Sequence, residues 1–322
     1  MTAEGTARTA LRDEVFPALL AAAGVERRAD ALRALLRLAV AGMASARGLA
    51  LPSDPLRAPQ ALPAAALEAA SRQVASLDLG AASVCLPGLL YTDLLTDRHR
   101  RGSYYTPLDL AAWVARQTVG PLLPLEGEES SIPSLARERM PPIRILDPAM
   151  GSGHFLIAAA GVIAAYLGGS SQAASRWRAA RCLYGIDRDP LAVDLARAVL
   201  WLWACEGNPA GPPAGWRAEL WADLGARLVC TDALLNDPFS GGFDAVLSNP
   251  PFASVFTRVQ SPEGGTREAI QARYPTATGS FDLAVPFVER AVSLCRDGGR
   301  VGLVLPNKLL AANYARSLRV WL

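Results

Sequence analysis

From residue 143 onward the chain alternates short apolar runs with longer helical segments, and the runs end at polar corners. Runs of four or five residues are too short for stable helices but suit buried strands. Candidate strands span 143–146, 182–186, 227–230, 243–247 and 301–305, with helices expected at 153–167, 190–205 and 282–295. Such alternation points to a doubly wound α/β sheet covered by helices on both faces. The stretches 120–142 and 207–215, rich in Pro, Gly, Ser or acidic residues, read as surface loops.

The first hundred residues keep a different rhythm. Leu11, Val15 and Leu19 share one helical face, as do Leu32, Leu35, Leu36, Val40 and Met43, and later Leu67, Ala70, Val74 and Leu77. A proline-punctuated stretch, 48–63, separates the second helix from the third. The chain therefore divides into an N-terminal helical domain, 1–100, and an α/β domain, 101–322. The helical part carries no polar constellation that suggests chemistry, and a supporting bundle is its expected role.

Just over half of the 322 residues are apolar (51%) and they are spread throughout, which excludes a disordered or fibrous chain. A formal net charge of +2 gives little electrostatic support for a nucleic-acid partner, so any such contact must come from a local patch. The cysteines, Cys85, Cys182, Cys205, Cys230 and Cys295, form no CxxC pair and no metal-ligand spacing, as expected of buried thiols in a reduced, cytoplasmic protein. The N-terminus lacks a signal-peptide pattern, and the most apolar run, 155–167, is shorter than the roughly 20 residues a membrane span needs. No membrane partner is expected.

Chemistry concentrates where strands end. Asp147-Pro148-Ala149-Met150-Gly151-Ser152-Gly153-His154 follows the first strand and opens a helix, with Gly151 and Gly153 allowing a tight turn and close approach to a ligand. The third glycine of a dinucleotide fingerprint would fall at Leu156, which disfavours a pyrophosphate. A strand-terminal carboxylate instead suits a cationic ligand such as S-adenosylmethionine, which carries a sulfonium and an ammonium group. Asp187 closes the second strand, where a carboxylate can accept both ribose hydroxyls; Asp189, before Pro190, reads as a helix N-cap. Asp232 follows the third strand and could accept a hydrogen bond from an adenine amino group. A lone aspartate after a strand is commonly a turn residue. Three in register are harder to explain that way.

After the fourth strand comes Ser248-Asn249-Pro250-Pro251-Phe252. Pro250 and Pro251 fix the backbone and donate no N–H, so the Pro250 carbonyl and the Asn249 amide can present acceptors in a set geometry. Two such acceptors on an exocyclic amine would localise its lone pair for attack, and Phe252 offers a face on which a flipped base can stack. The bland alternative is a rigid proline turn with a buried aromatic. Upstream, Thr106 and Pro107 read as the N-cap and first turn of a helix running to about residue 118, with Asp109 in its first turn. Arg98, His99, Arg100 and Arg101 make the densest basic run; a solvated turn is its ordinary explanation and a phosphate contact the second.

With these residues in place, the sequence resembles the gamma-type N6-adenine DNA methyltransferases, especially the large type II restriction-modification and phage-defence (BREX-like) members. The resemblance runs from about Leu86 to Leu322. It rests on Leu86-Pro87-Gly88-Leu89-Leu90-Tyr91, then Gly102-Ser103-Tyr104-Tyr105-Thr106-Pro107, DPAMGSGHFL at 147–156, NPPF at 249–252, and the helix and strand carrying Phe281-Asp282-Leu283 and 299–307, all in the family's order. It implies a Rossmann-like class I S-adenosylmethionine-dependent methyltransferase fold with a seven-stranded sheet, and double-stranded DNA as partner. By position, Thr106, Asp147, Ala149, Gly151, Gly153, Asp187 and Asp232 would hold S-adenosylmethionine. Asn249, Pro250, Pro251 and Phe252 would hold and activate the adenine, and His154 would be structural. One departure follows: the family's last hairpin and target-recognition domain have no residues here, so a longer protein or another chain is expected to supply them.

Two other classes compete. A release-factor glutamine or RNA methyltransferase also uses a strand-terminal NPP motif, although the 102–107 segment and the DPAMGSG wording argue against it. A truncated, non-catalytic subunit binding cofactor or DNA is the other, against which stands the full set of site residue types.

Overall fold

The computed structural model describes residues 2–54, 56, 62–95, 106–124, 143–168, 173–206, 214–252 and 266–322. The expected domain boundary at 100/101, the basic run 98–101 and the 102–105 segment lie outside the described residues.

Helices α1 (Ala3–Ala10), α2 (Phe16–Ala23), α3 (Arg28–Ala46), α4 (Ala64–Ala75) and α5 (Leu86–Leu94) precede the sheet, and a widened turn at Leu11–Val15 joins α1 to α2. The apolar faces expected of them are the buried ones: Leu11, Val15, Leu19, Leu35, Leu36, Val40 and Met43 are almost wholly excluded from solvent. In α4, Ala70 and Val74 are buried while Leu77 lies beyond the helix end. Next come α6 (Leu108–Val119), α7 (His154–Tyr166), α8 (Ala173–Ala180), α9 (Pro190–Cys205), α10 (Trp216–Arg227), α11 (Thr266–Arg273), α12 (Ala284–Leu294) and α13 (Arg316–Trp321).

Five parallel strands, β1 (Ile145–Asp147), β2 (Leu183–Asp187), β3 (Leu228–Cys230), β4 (Phe243–Ser248) and β5 (Cys295–Leu303), lie in the order β3-β2-β1-β4-β5. The order reverses between β1 and β4. In open α/β sheets, the carboxyl ends beside such a switch point form the ligand crevice. Successive strand residues feed opposite cores, as a sheet buried on both faces requires. Ile145, Leu183, Ala245 and Leu247 join the core that also holds the inward residues of α6, α7, α9, α10 and the N-terminal helices. Leu146, Ile186 and Val246 join a second core with Phe281, Phe287 and Ala291.

Two expectations need correction. The fifth strand begins at Cys295, not 301, because three extra residues bulge between the pairs Phe243–Cys295 and Ala245–Arg300 and the sequence Asp297-Gly298-Gly299 concealed the pairing. The five strands present among the described residues are the five that the sequence marks. The thiols also divide: Cys85, Cys182 and Cys205 are buried, but Cys230 is exposed and Cys295 half-buried, since both sit at strand termini.

The largest wholly buried side chain is Trp201, whose indole Nε1 donates to the Arg217 carbonyl at 2.9 Å and whose ring meets Trp221 edge-on at 6.2 Å between centroids. Trp201→Ala removes this packing and leaves a cavity, and is expected to cost about 3–5 kcal/mol. Urea unfolding should show that loss as a lower midpoint with little change in slope.

Candidate active site

The three strand-terminal aspartates share one local device. Asp147 Oδ1 accepts the Ala149 N–H (2.9 Å), Asp187 Oδ1 the Asp189 N–H (2.8 Å) and Asp232 Oδ1 the Leu234 N–H (2.9 Å). Each carboxylate therefore bonds the amide two residues on and shapes its own turn. The turn explanation holds for all three aspartates, and a carboxylate has further lone pairs for other partners. Asp187 uses Oδ2 to accept the Gly151 N–H at 2.9 Å, pinning the glycine turn after β1 to the end of β2. Asp232 meets the Arg188 guanidinium at 3.4 Å. Thr231 N–H donates to the Asp187 carbonyl at 2.9 Å, so Asp232 stands beside Asp187.

Asp189 caps α9 as expected, accepting the Leu191 N–H on Oδ1. Its Oδ2 accepts the Tyr91 hydroxyl at 2.9 Å, a contact 98 residues apart that no local pattern reveals.

Across the switch point, Ser248 at the end of β4 donates from Oγ to Asp147 Oδ1 at 2.7 Å, with both residues almost wholly buried. Asn249 follows, and its Nδ2 donates to Thr106 Oγ1 at 2.8 Å, while its Oδ1 lies buried. This changes the role expected of Thr106. Pro107, not Thr106, stands at the start of α6, which has no side-chain cap, because the Thr106 hydroxyl is turned to Asn249. Ser248 itself escaped the sequence reading: a serine before an NPP corner carries no signal without knowing that β1 and β4 are neighbours. The two prolines leave the corner without N–H donors, and Phe252, half-buried, packs against the small apolar cluster of Ala284, Val285 and Leu309.

Gly151 takes φ +52°, and open space lies where a side chain would stand. Gly153 takes φ +88°, and a Cβ there would come within 3.3 Å of Ala196 on α9. The first glycine therefore leaves the backbone open, while the second closes helix packing. His154 is buried, hydrogen-bonded to the Cys85 backbone, and burial holds its imidazole down at about 4, hence neutral near pH 7. It plays the structural part expected of it.

Burial dominates the electrostatics. It pushes the Asp147 carboxyl up to about 7, against the lowering by the Ser248 and Ala149 hydrogen bonds, and it raises Asp187 as well. A buried carboxyl in this condition favours a proton or another cation beside it. Between its ordinary value, 3.8, and about 7, the folded chain holds a proton that the unfolded chain has lost. Stability contributed by that proton is present at low pH and falls as pH rises through this window. Asp147→Asn should flatten the decline, read from melting temperatures at pH 5 and pH 8. Ser248→Ala deprives the carboxylate of its side-chain donor and should cost about 1–3 kcal/mol, more at pH 8 than at pH 6.

Residues 181–322 match the Eco57I restriction-modification methylase family. The chain is 29% identical over 189 residues to the type II methyltransferase M.PaeR7I of Pseudomonas aeruginosa, covering 55% of this chain and 29% of that protein. It is 25% identical over 158 residues to the type II restriction enzyme and methyltransferase RM.Eco57I of Escherichia coli, covering 44% of this chain and 16% of that one. The chain thus spans less than a third of the length of either relative. Among solved structures, the type IIG restriction endonuclease BpuSI superposes with a TM-score of 0.56 at 15% identity, over 98% of this chain and 35% of that one. The type IIL restriction-modification enzyme MmeI, in complex with DNA, gives 0.58 at 16% identity, over 91% and 49%. These likenesses are of fold, and with the parallel order β3-β2-β1-β4-β5 they describe a Rossmann-like α/β sheet. Among the described residues, no helix is long and apolar enough to cross a membrane.

Proposed function

We propose that this chain carries the S-adenosylmethionine site and the catalytic corner of a restriction-modification DNA methyltransferase acting on the exocyclic N6 of adenine. The observation that carries the reading is the hydrogen-bonded seam across the switch point. Ser248 joins Asp147, the residue beside it, Asn249, joins Thr106, and a carboxylate-lined turn and an acceptor-rich proline corner thereby share one crevice. The match of residues 181–322 to a restriction-modification methylase family supports DNA as the substrate class over a protein glutamine or an RNA. The DNA in the MmeI complex supports a duplex as the partner.

The residues fit S-adenosylmethionine by their chemistry. Open space over Gly151 admits a ligand against the backbone, and a buried carboxyl raised to about 7 at Asp147 calls for a cationic neighbour. When bound, the cofactor supplies a methyl group on a sulfonium, activated for attack by a nitrogen lone pair. Asp147, Ala149, Gly151 and Gly153 would hold its charged amino-acid end, Asp187 the ribose and Asp232 the adenine amine. Thr106 fixes the Asn249 amide by taking its Nδ2 hydrogen, which leaves Oδ1 as the acceptor end. Asn249 Oδ1 and the Pro250 carbonyl would take the two N6 hydrogens of the target adenine and localise the nitrogen pair. Pro251 keeps the corner rigid, and Phe252 would stack on the flipped base. The corner would thus present the N6 lone pair to that methyl group, with the carbon–sulfur bond as the one that breaks and the surplus N6 proton leaving after transfer.

Radiolabelled methyl transfer from S-adenosylmethionine, assayed side by side on DNA, RNA and protein, tests the reading. Label is expected in DNA adenine, and Asn249→Ala should lower the rate at least about a hundredfold while cofactor affinity stays within about twofold. Label in RNA or glutamine, or normal DNA methylation by Asn249→Ala, would overturn it. Because a cation must displace the Asp147 proton, cofactor affinity should also rise with pH through about 7 in the wild-type chain and lose that rise in Asp147→Asn. Isothermal titration at pH 6 and pH 8 reads the difference.

A further inference from the structure

Helix α5 belongs to the helical N-terminal part, which showed no chemistry in the sequence, yet one of its faces lies against the turns of the candidate site. Cys85, Gly88 and Tyr91 recur every third residue and so share that face. The Cys85 backbone hydrogen-bonds His154. At Gly88 there is no room for a side chain: a Cβ would stand 2.5 Å from Ser152 Oγ, 2.8 Å from His154 Nε2 and 2.9 Å from Ser152 Cβ. Tyr91, itself buried, donates its hydroxyl to Asp189 Oδ2 at 2.9 Å. The Asp189 N–H in turn holds Asp187 Oδ1, and Asp187 Oδ2 holds the Gly151 N–H. Three successive contacts therefore touch both turns, the one after β1 and the one after β2.

The far end of α5 is anchored elsewhere. Arg8 on α1 makes a two-pronged contact with Asp93, at 2.8 Å to each carboxylate oxygen, and Arg28 at the start of α3 donates to the Leu94 carbonyl at 3.0 Å. Leu86 and Leu90 are wholly buried in the shared core. The helix is thus fixed from behind by the bundle and presses the face of Cys85, Gly88 and Tyr91 on the site.

We propose that α5 is a brace for the cofactor turns, with Gly88 and Tyr91 as positioning residues that set the placement of Gly151 and Asp187 without touching the ligand. The inference rests on the cofactor reading given above and assigns the helical part a role in it. Losing one hydrogen bond to a carboxylate corresponds to roughly a ten- to hundredfold effect on the contact itself. Only the part that displaces the turn reaches the ligand.

The test uses the full chain, with S-adenosylhomocysteine titrated calorimetrically and amide hydrogen exchange followed on the ligand-free protein. Tyr91→Phe is expected to weaken binding about fivefold, and Gly88→Ala more than about tenfold. Both should speed exchange at Gly151 while α12 exchanges as in the wild type. Gly88→Ala is informative because alanine favours a helix more than glycine does. Gly161→Ala in α7, where a Cβ meets nothing within 4 Å, should leave binding unchanged. Ser152→Gly combined with Gly88→Ala relieves the closest clash and should recover part of the affinity. In turnover assays, KM for the methyl donor should rise with kcat held.

Wild-type affinity and exchange in Tyr91→Phe and Gly88→Ala would overturn the brace. So would an equal affinity loss in Leu35→Ala at a matched drop in melting temperature, since affinity would then follow global stability. If the wild-type chain binds no S-adenosylhomocysteine, the cofactor reading falls, while the exchange at Gly151 still decides whether α5 orders the turns.

Discussion

The bond from Ser248 to Asp147 is where the fold becomes a site. It joins the ends of β1 and β4, the two strands between which the sheet reverses its order, and it does so in a place closed to water. A carboxyl group buried there must be protonated, hydrogen-bonded or matched by a cation, because an isolated charge would cost several kcal/mol. The ligand-free chain meets that demand with two donors and a carboxyl raised to about 7. A bound cation would meet it better. The same constraint therefore accounts for the geometry of the turn, its pH behaviour and the kind of ligand it suits.

Around this bond the structure is layered outward. Asp187 ties the glycine turn to the next strand, Thr106 orients Asn249, and Tyr91 reaches in from the helical part to the residue that follows Asp187. None of these is a long-range electrostatic effect; each is a short hydrogen bond between partly or wholly buried groups, which is what fixes position. A net charge of +2 fits that pattern, since the site depends on placement and not on a strong overall field.

Much of this architecture was legible in the sequence. Strands buried on both faces show as continuous apolar runs, so four of the five were found to within a residue or two, and α9 is bounded as expected because Asp189 and Pro190 form a clear start signal. The fifth strand was misplaced because its first part is a glycine-rich bulge with little apolar character. The strand-end aspartates were found by their repetition. What stayed hidden were contacts that depend on which strands are neighbours: Ser248 with Asp147, Thr106 with Asn249, Tyr91 with Asp189. Thr106 misled outright, because a threonine before Pro107 fits the pattern of a cap whether or not its hydroxyl is used that way. The aspartates, for their part, serve their own turns.

A crystal structure of the chain with S-adenosylhomocysteine is the most direct test of the site. The ligand is expected over Gly151, its charged end toward Asp147, its ribose at Asp187, and its sulfur facing the Asn249–Pro250 corner. A ligand bound away from that crevice, or a crevice empty at saturating concentration, would contradict that placement.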